Sequence, residues 1–434
     1  MANKYNTRYI ANIVIEAKTP LKVGSSYVDM LQDAPVQKDW NNLPMILGTS
    51  IAGVLRKEFE HKFANEIFGD EQSKKTDNKG SRIIISNALL CDKNMQVHES
   101  LLLEKTDFLK HFDILPVREH VRITDKGVAD SANSGKFDEE VVYKGSRFKF
   151  RIELIADEND ATNFQEILKV LNSKVFRLGG GTTKGFGDIE VLHALSSYDV
   201  FTTNSQEYRE KSSSLNTAFS KALSQETKED IAYTCYTLKL TADDFFMFGS
   251  GFGDDDADMT PVYELVLDYD NESLSTRKIL IPASSLKGAI THRTTYHYNK
   301  LNKAFIGKES AVQSVVEIFG EEKQSDEKSG SKGKIFLSDC FLDDNNKTKT
   351  FDHVSIDRFT GGAIEGALFQ EKTIAYNDEW SVEILLHNSV QEKALQAFEG
   401  TLKDITNGML ALGGATTKGH GIFSGKVLKD GVEL

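Results

Sequence analysis

The sequence is poor in cysteine. Its three, Cys91, Cys235 and Cys340, lie far apart and form no CxxC. That excludes a zinc ribbon and a disulfide framework, and it fits a reducing, cytoplasmic compartment. No run of about 18 apolar residues occurs, so no segment is expected to span a membrane. Met1 to Thr19 carries Lys, Arg and Glu among its apolar residues and does not read as a signal peptide. A basic excess is missing too: 65 acidic against 52 basic residues give a net charge of −13. A histone-like binder is thereby excluded, and nucleic acid would need a local basic stripe on an acidic background. The ten histidines show neither HxxxH nor HExxH spacing, which argues against a zinc hydrolase. There is no Gly-x-Ser-x-Gly elbow. The Asp254 to Asp258 run departs from the EF-hand pattern and reads as a solvated loop.

What the chain does have is length and repetition. Its 434 residues, 39% of them hydrophobic, suffice for about two to three domains. Arg177-Leu-Gly-Gly-Gly-Thr-Thr-Lys-Gly-Phe-Gly187 is echoed by Ala411-Leu-Gly-Gly-Ala-Thr-Thr-Lys-Gly-His-Gly421. Gly48-Thr-Ser-Ile-Ala-Gly53 is echoed by Ala283-Ser-Ser-Leu-Lys-Gly288 at a spacing that agrees within one residue. Between them, in the same order, Glu66-Ile-Phe-Gly69 matches Glu317-Ile-Phe-Gly320, and Ser81–Ser86 resembles Gly333–Ser338. His120-Val-Arg-Ile123 resembles His353-Val-Ser-Ile356. This is a tandem duplication with a period too long for a solenoid, so each copy should carry its own core. The expected units are residues 1–195 and 231–434. The Ser-, Thr-, Lys- and Glu-rich stretch 196–230 reads as an exposed linker with a helix near Leu215 to Leu223.

Each copy should open on an alternating strand, Tyr9–Glu16 or Tyr233–Leu240. Helices are expected over Ile51–Phe68 and Leu286–Phe319, the second broken near Gly307, with Thr49 or Ser284 as N-cap. Strands follow at 83–85 and 335–337 and at Arg147–Leu154 and Trp380–Leu386. Second helices are expected over Asn163–Leu171 and Val390–Leu402, and closing strands over 189–191 and 422–427. This order is that of a ferredoxin-like sheet, so the class is α+β.

The glycine-rich loops carry the clearest chemistry. Clustered glycines let backbone N–H groups approach an anion, and Thr183 with Lys184, or Thr417 with Lys418, adds donors and charge. Gly180, Gly181 and Gly414 would line such a site. It is not a Walker A loop, because Lys precedes the last glycine and a helix precedes the loop. The alternative is a tight turn that packs the sheet. The helix starts at Thr49, Ser50, Ser284 and Ser285 form a second candidate anion site. Arg56, Lys287, His292 and Arg293 supply charge on the following turns, and plain N-capping is the alternative.

Ile281-Pro-Ala-Ser-Ser-Leu-Lys-Gly288 and the terminal Leu412-Gly-Gly-Ala-Thr-Thr-Lys-Gly-His-Gly421 resemble signatures of the RAMP superfamily, the repeat-associated proteins of CRISPR systems. The likeness is to backbone subunits of type III effector complexes, and it covers both copies. The resemblance implies two tandem ferredoxin-like (RRM-like) palms, each with an inserted β-hairpin thumb, here about Ile123–Val141 and Ile356–Ile374. It implies a guide RNA held by the glycine loops and helix starts, with Arg122 and Arg358 contacting it at the thumbs. The implied partners are target RNA, other RAMP subunits and a large signalling subunit. The resemblance further implies a loop aspartate that cuts target RNA with Mg²⁺ or another divalent cation. Asp33-Ala-Pro-Val36 fits that loop, with Asp29 a rival, and Asp258-Met-Thr-Pro-Val262 fits with one extra residue. A carboxylate can hold a Mg²⁺ that retains several waters, and the neighbouring 2′-OH is a built-in nucleophile. Asp33 and Asp258 are therefore the candidate catalytic and metal-holding residues, against a non-catalytic scaffold as the alternative. The sequence departs from the family at Ala52, where a Lys is usual, and at Ala283, where a Gly is usual.

Overall fold

The computed structural model describes residues 5–25, 34–70, 79–123, 135–228, 231–305, 309–321, 330–344 and 347–434. The alternating strands form as their pattern dictates. Thr7–Ala17 runs antiparallel to Arg147–Ala156, with Thr7 opposite Ala156 and Glu16 opposite Arg147. Tyr233–Ala242 runs antiparallel to Trp380–His387, with Tyr233 opposite His387 and Leu240 opposite Trp380. The Ile-rich strands Ile83–Ile85 and Ile335–Leu337 pair with the other edges of Arg147–Ala156 and Trp380–His387. Ile189–Val191 and Phe423–Lys429 close each copy against its opening strand. Both copies thus share one antiparallel order, and the protein is α+β.

Helices cover the sheets with apolar stripes. Gly48–Lys57 buries Ile51 and Leu55, and Ala161–Leu171 buries Phe164, Ile167 and Leu171. In the second copy, Ala283–Leu301 buries Leu286 and Ile290, and Glu392–Thr406 buries Phe398, Leu402 and Ile405. Two separate cores result, one per copy. Burying one such side chain contributes roughly 1.5–3 kcal/mol, and Phe398→Ala should cost about 3–5 kcal/mol through the cavity it leaves.

Within these elements the structure differs from the sequence reading at two places. The expected helix 51–68 is two helices, Gly48–Lys57 and His61–Phe68, because extended Glu60 starts a new N-terminus. The break lets Phe59 stack on Phe63 with ring centroids 4.5 Å apart. The second long helix divides, in keeping with the expected break, into Ala283–Leu301 and Glu309–Phe319, and residue 307 itself lies outside the described residues. The stretch 196–230 lies against the first copy. Ser197–Thr202 pairs with Thr7–Asn12, filling an edge that the short closing strand leaves open. Leu215 and Leu223 are buried without the expected helix, and Asn12 Nδ2 donates to the Leu215 and Thr217 carbonyls.

Each copy also carries a two-stranded hairpin, Val117–Val121 with Lys136–Glu140 and Thr348–His353 with Phe369–Ala375. Pairing starts earlier than the sequence reading placed it, and residues 124–134 lie outside the described residues. Among the described residues no helix is long and apolar enough to cross a membrane.

Candidate nucleic-acid interface

The first glycine loop is a closed turn. Leu178 N–H donates to the Gly187 carbonyl at 2.9 Å, and Gly180 N–H to the Lys22 carbonyl at 2.8 Å. Gly185 has φ +117°, and a Cβ there would lie 2.2 Å from Asp339 Oδ1 and 2.9 Å from Ala283 Cβ. Only glycine fits, because this turn presses on the start of the second copy's first helix. Lys287 Nζ donates to Thr183 Oγ1 at 3.3 Å across the same contact. The structure thus joins one copy's loop to the other copy's helix start.

The helix starts are capped otherwise than the sequence reading had it. Leu47 and Pro282 are the N-caps and supply no side-chain hydrogen bond. A strand-end residue does the capping instead. Asn87 Oδ1 accepts from Gly48 N–H at 3.0 Å, and Asp339 Oδ1 accepts from Ala283 N–H at 2.8 Å. The hydroxyl residues Thr49, Ser50 and Ser285 stay exposed and Ser284 half-buried.

A groove of about 1130 Å³ runs between the copies. One wall is the first hairpin, with Val117, Val121 and Ile123. The other is the second copy's helix face, Ser284, Ser285, Gly288 and His292. Gly413, Gly414 and Thr416 of the second glycine loop line it as well. The second helix start and the second loop thus line one groove, and the first loop touches that helix start from outside it through Lys287.

Beside each glycine loop sits a repeated cluster. In the first copy, Lys22 and His120 hold Glu139, His120 Nε2 lies 3.3 Å from its Oε2, and His120 stacks on Phe137 at 5.1 Å. Burial acts to raise the Glu139 carboxyl, but His120 and Lys22 outweigh it and bring it down to about 2. In the second copy, fully buried Glu371 accepts from Lys418 Nζ at 2.8 Å, and His353 stacks on Phe369 at 4.8 Å. The loop lysine Lys418 is thus tied to a carboxylate. In the first copy Lys22 takes that place, and Lys184 lies 5.7 Å above the Phe137 ring.

The other candidates divide. Arg122 and Arg358 are exposed beside and within the hairpins. Arg56 donates to the Gly69 carbonyl at 2.6 Å and to Asn65 Oδ1 at 2.6 Å, locking the two short helices together away from the loop. Arg293 Nε donates to Asp404 Oδ2 at 2.5 Å and joins the two helices of the second copy. Asp258 is exposed, and its Oδ2 accepts from Gln370 N–H of the second hairpin at 2.7 Å. Its neighbours Asp254 and Asp256 pair with Lys372, and that hydrogen bond holds the Asp254 carboxyl below its usual range. Asp33 and Asp29 lie outside the described residues. Gln37 and Val262 hold corresponding positions, their amides donating to Val23 and Phe248 carbonyls at 2.7 Å. Among the described residues no three His, Cys, Asp or Glu side chains gather around a metal position.

The junction itself was not legible beforehand. Arg118 of the first hairpin, 8% exposed, donates from Nε to Glu264 Oε2 at 2.7 Å and from Nη1 to Asp339 Oδ2 at 2.5 Å. Burial opposes its charge, yet the two carboxylates raise its pKa. Burial pushes the Glu264 carboxyl above its ordinary value, with Asp339 adding to it against the pull of Arg118. Arg177 donates to the Leu337 carbonyl at 3.1 Å and to Ser338 Oγ at 2.8 Å. For the repeated clusters a signal was available: Glu139 and Glu371 recur at almost the same distance after His120 and His353.

These features define a duplicated α+β protein whose two halves share a groove walled by a hairpin of the first and by a helix start and glycine loop of the second. Residues 14–190 and 268–424 match the RAMP superfamily, and together they make up more than half of the chain. The chain belongs to that superfamily, as a tandem of two RAMP regions. No curated protein matches it.

Proposed function

We propose that the protein is a guide-RNA-binding backbone subunit of a type III CRISPR interference complex, filling two consecutive positions along the guide. The RAMP membership supports an RNA-binding, CRISPR-associated role. The strand order in each copy supports reading it as a ferredoxin-like palm, and the hairpins support reading them as thumbs. The observation that carries the proposal is the Thr183–Lys287 contact, which sets the first loop against the second helix start, whose Ser284, Ser285 and Gly288 line the groove. Hydroxyls, glycine amides and one lysine suit phosphates, and Val117, Val121 and Ile123 suit bases.

The same proposal assigns target cleavage to Asp33 and Asp258. An exposed carboxylate such as that of Asp258 suits Mg²⁺, which keeps most of its ligands as water and substrate phosphate. Bound there, the ion would stabilise charge on the phosphate. The scaffold reading draws on one fact: the Asp258 carboxylate already ties its loop to Gln370.

Binding of single-stranded RNA tests the first part. Lys287→Ala should weaken it and lower the salt slope by about 0.7, one phosphate contact. An unchanged slope and affinity would contradict it. Cutting of a guide-paired target in magnesium tests the second. Loss of one cut in Asp258→Ala supports cleavage, and cutting of an all-deoxy target at the same rate contradicts it.

A further inference from the structure

We infer that the chain is a closed two-position block whose outer faces do not fit each other, so that its neighbours on both sides are proteins other than itself. The inference rests on comparing the internal junction with the positions that a second copy of the chain would bring together, and it stands independently of RNA binding.

The internal junction is ionic. Arg118 meets Glu264 and Asp339, Arg177 meets Ser338, and Lys174 lies 3.3 Å from Glu383. Val175 packs on Phe336 and Leu385 at its centre. The strand registers give the counterparts. Phe351 stands where Arg118 does, opposite Glu371 as Arg118 is opposite Glu139. The two glycine-loop sequences set Ala411 in place of Arg177, Gly408 in place of Lys174 and Met409 in place of Val175. On the receiving side, Asn87 replaces Asp339, while Ile84, Glu153 and Arg151 replace Phe336, Leu385 and Glu383. Asp39 replaces Glu264, but its Oδ1 already accepts from the Asn41 and Leu43 amides. A head-to-tail contact would set Phe351 against Asn87, Gly408 against Arg151, and Met409 against Glu153. It would keep none of the three charged contacts, and it would set the ion pair of Glu153 with Arg8, 3.6 Å apart, against a methionine, where neither charge gains a partner.

Two further features agree. The second copy extends Leu267–Leu274 into the first copy's core. There Tyr269 Oη donates to the Cys91 carbonyl at 2.9 Å, and its ring lies 4.9 Å from Phe108. The receiving socket is built from residues 91–115, between two strands. Only Asp344 to Lys347 stand at that place in the second copy, too few to build one. The first copy's counterpart of the extended arm is a short turn that leaves Trp40 71% exposed.

The outer face of the second copy is apolar, with Met409 68% exposed and Ile422 37% exposed. It is continuous in position with Val175 and so fits a neighbour that presents an apolar pair, as Phe336 and Leu385 do, in place of Glu153.

Light scattering on the purified full chain, combined with lysine cross-linking of mixed light and heavy isotope preparations, tests this. The expected result is the mass of one chain at every concentration, with no intermolecular cross-links from Lys403 or Lys418 to Lys38 or Lys57. A ladder of higher masses carrying those cross-links would overturn the inference. Oligomers lacking them, joined elsewhere, would leave the two faces unmatched and support it. Trp40→Ala should not change the mass, and loss of a dimer in that variant would count against the inference.

Discussion

Replacing Arg118 with Met removes the charge that holds the two copies' carboxylates together. Glu264 and Asp339 are buried, 7% and 8% exposed, so neither can regain water without opening the junction. Breaking a buried pair in this way costs about 3–5 kcal/mol, because a charge is left uncompensated. That is roughly a hundred- to several-thousand-fold in the equilibrium constant for parting the copies. Asp339→Asn should cost less on its own, since an amide oxygen caps the helix equally well, as Asn87 does in the first copy. The variant combining Arg118→Met, Glu264→Met and Asp339→Asn should regain most of the loss, because no buried charge then lacks a partner. Denaturant unfolding followed by tryptophan fluorescence measures this: Trp380 is buried in the second core, and Trp40 is already exposed. The pH dependence gives an independent reading. The Glu264 carboxyl lies above its ordinary value in the folded protein. Its protonation therefore favours folding below the unfolded value, and that contribution fades as pH rises through the folded value. Removing Arg118 raises it further, so the Arg118→Met deficit should shrink on acidification. A single variant within about 0.5 kcal/mol of the parent at neutral pH would refute the reasoning.

Other outcomes follow from the same structure. Glu139, held near 2 by His120 and Lys22, contributes stability above the unfolded value that is lost as pH falls through about 2; amide exchange in Lys136–Glu140 should rise over that acid window. Gly185→Ala should destabilise more than Gly419→Ala. Both pay the positive-φ cost of about 1 kcal/mol, but only the first drives a Cβ into Asp339, so equal unfolding free energies would contradict the contact. Burial pushes the Cys91 thiol up to about 12 and leaves it 0% exposed, so it should not react with an alkylating reagent at neutral pH until the protein unfolds; labelling of the folded protein at Cys91 would contradict this.

Much of the architecture was legible because local pattern and burial agree. The alternation in Tyr9–Glu16 and Tyr233–Leu240, and the short runs at 83–85 and 335–337, became the strands they predict. Paired glycine loops located the copies, because a positive φ at positions such as Gly185 and Gly419 leaves few other residues possible. Elements set by long-range packing were not legible. The break at Glu60 serves a Phe59–Phe63 stack, and the edge filled by Ser197–Thr202 exists only once the sheet is built. At the candidate site, the hydroxyl residues expected to cap the helices sit one or two positions inside them, because Asn87 and Asp339 from neighbouring strand ends do the capping. Charged side chains read as anion ligands proved otherwise engaged: Arg56 with Asn65, Arg293 with Asp404, and Lys418 with Glu371. A sequence states a charge but not its counter-charge, and Asp339 lies more than two hundred residues from Arg118.

Ultraviolet cross-linking of single-stranded RNA to the purified chain, with the modified peptides read by mass spectrometry, tests the central proposal most directly. The expected adducts fall in residues 117–123, 177–187, 284–292 and 411–421, all in one complex. Adducts confined to one copy, or to surfaces away from the groove, would contradict it.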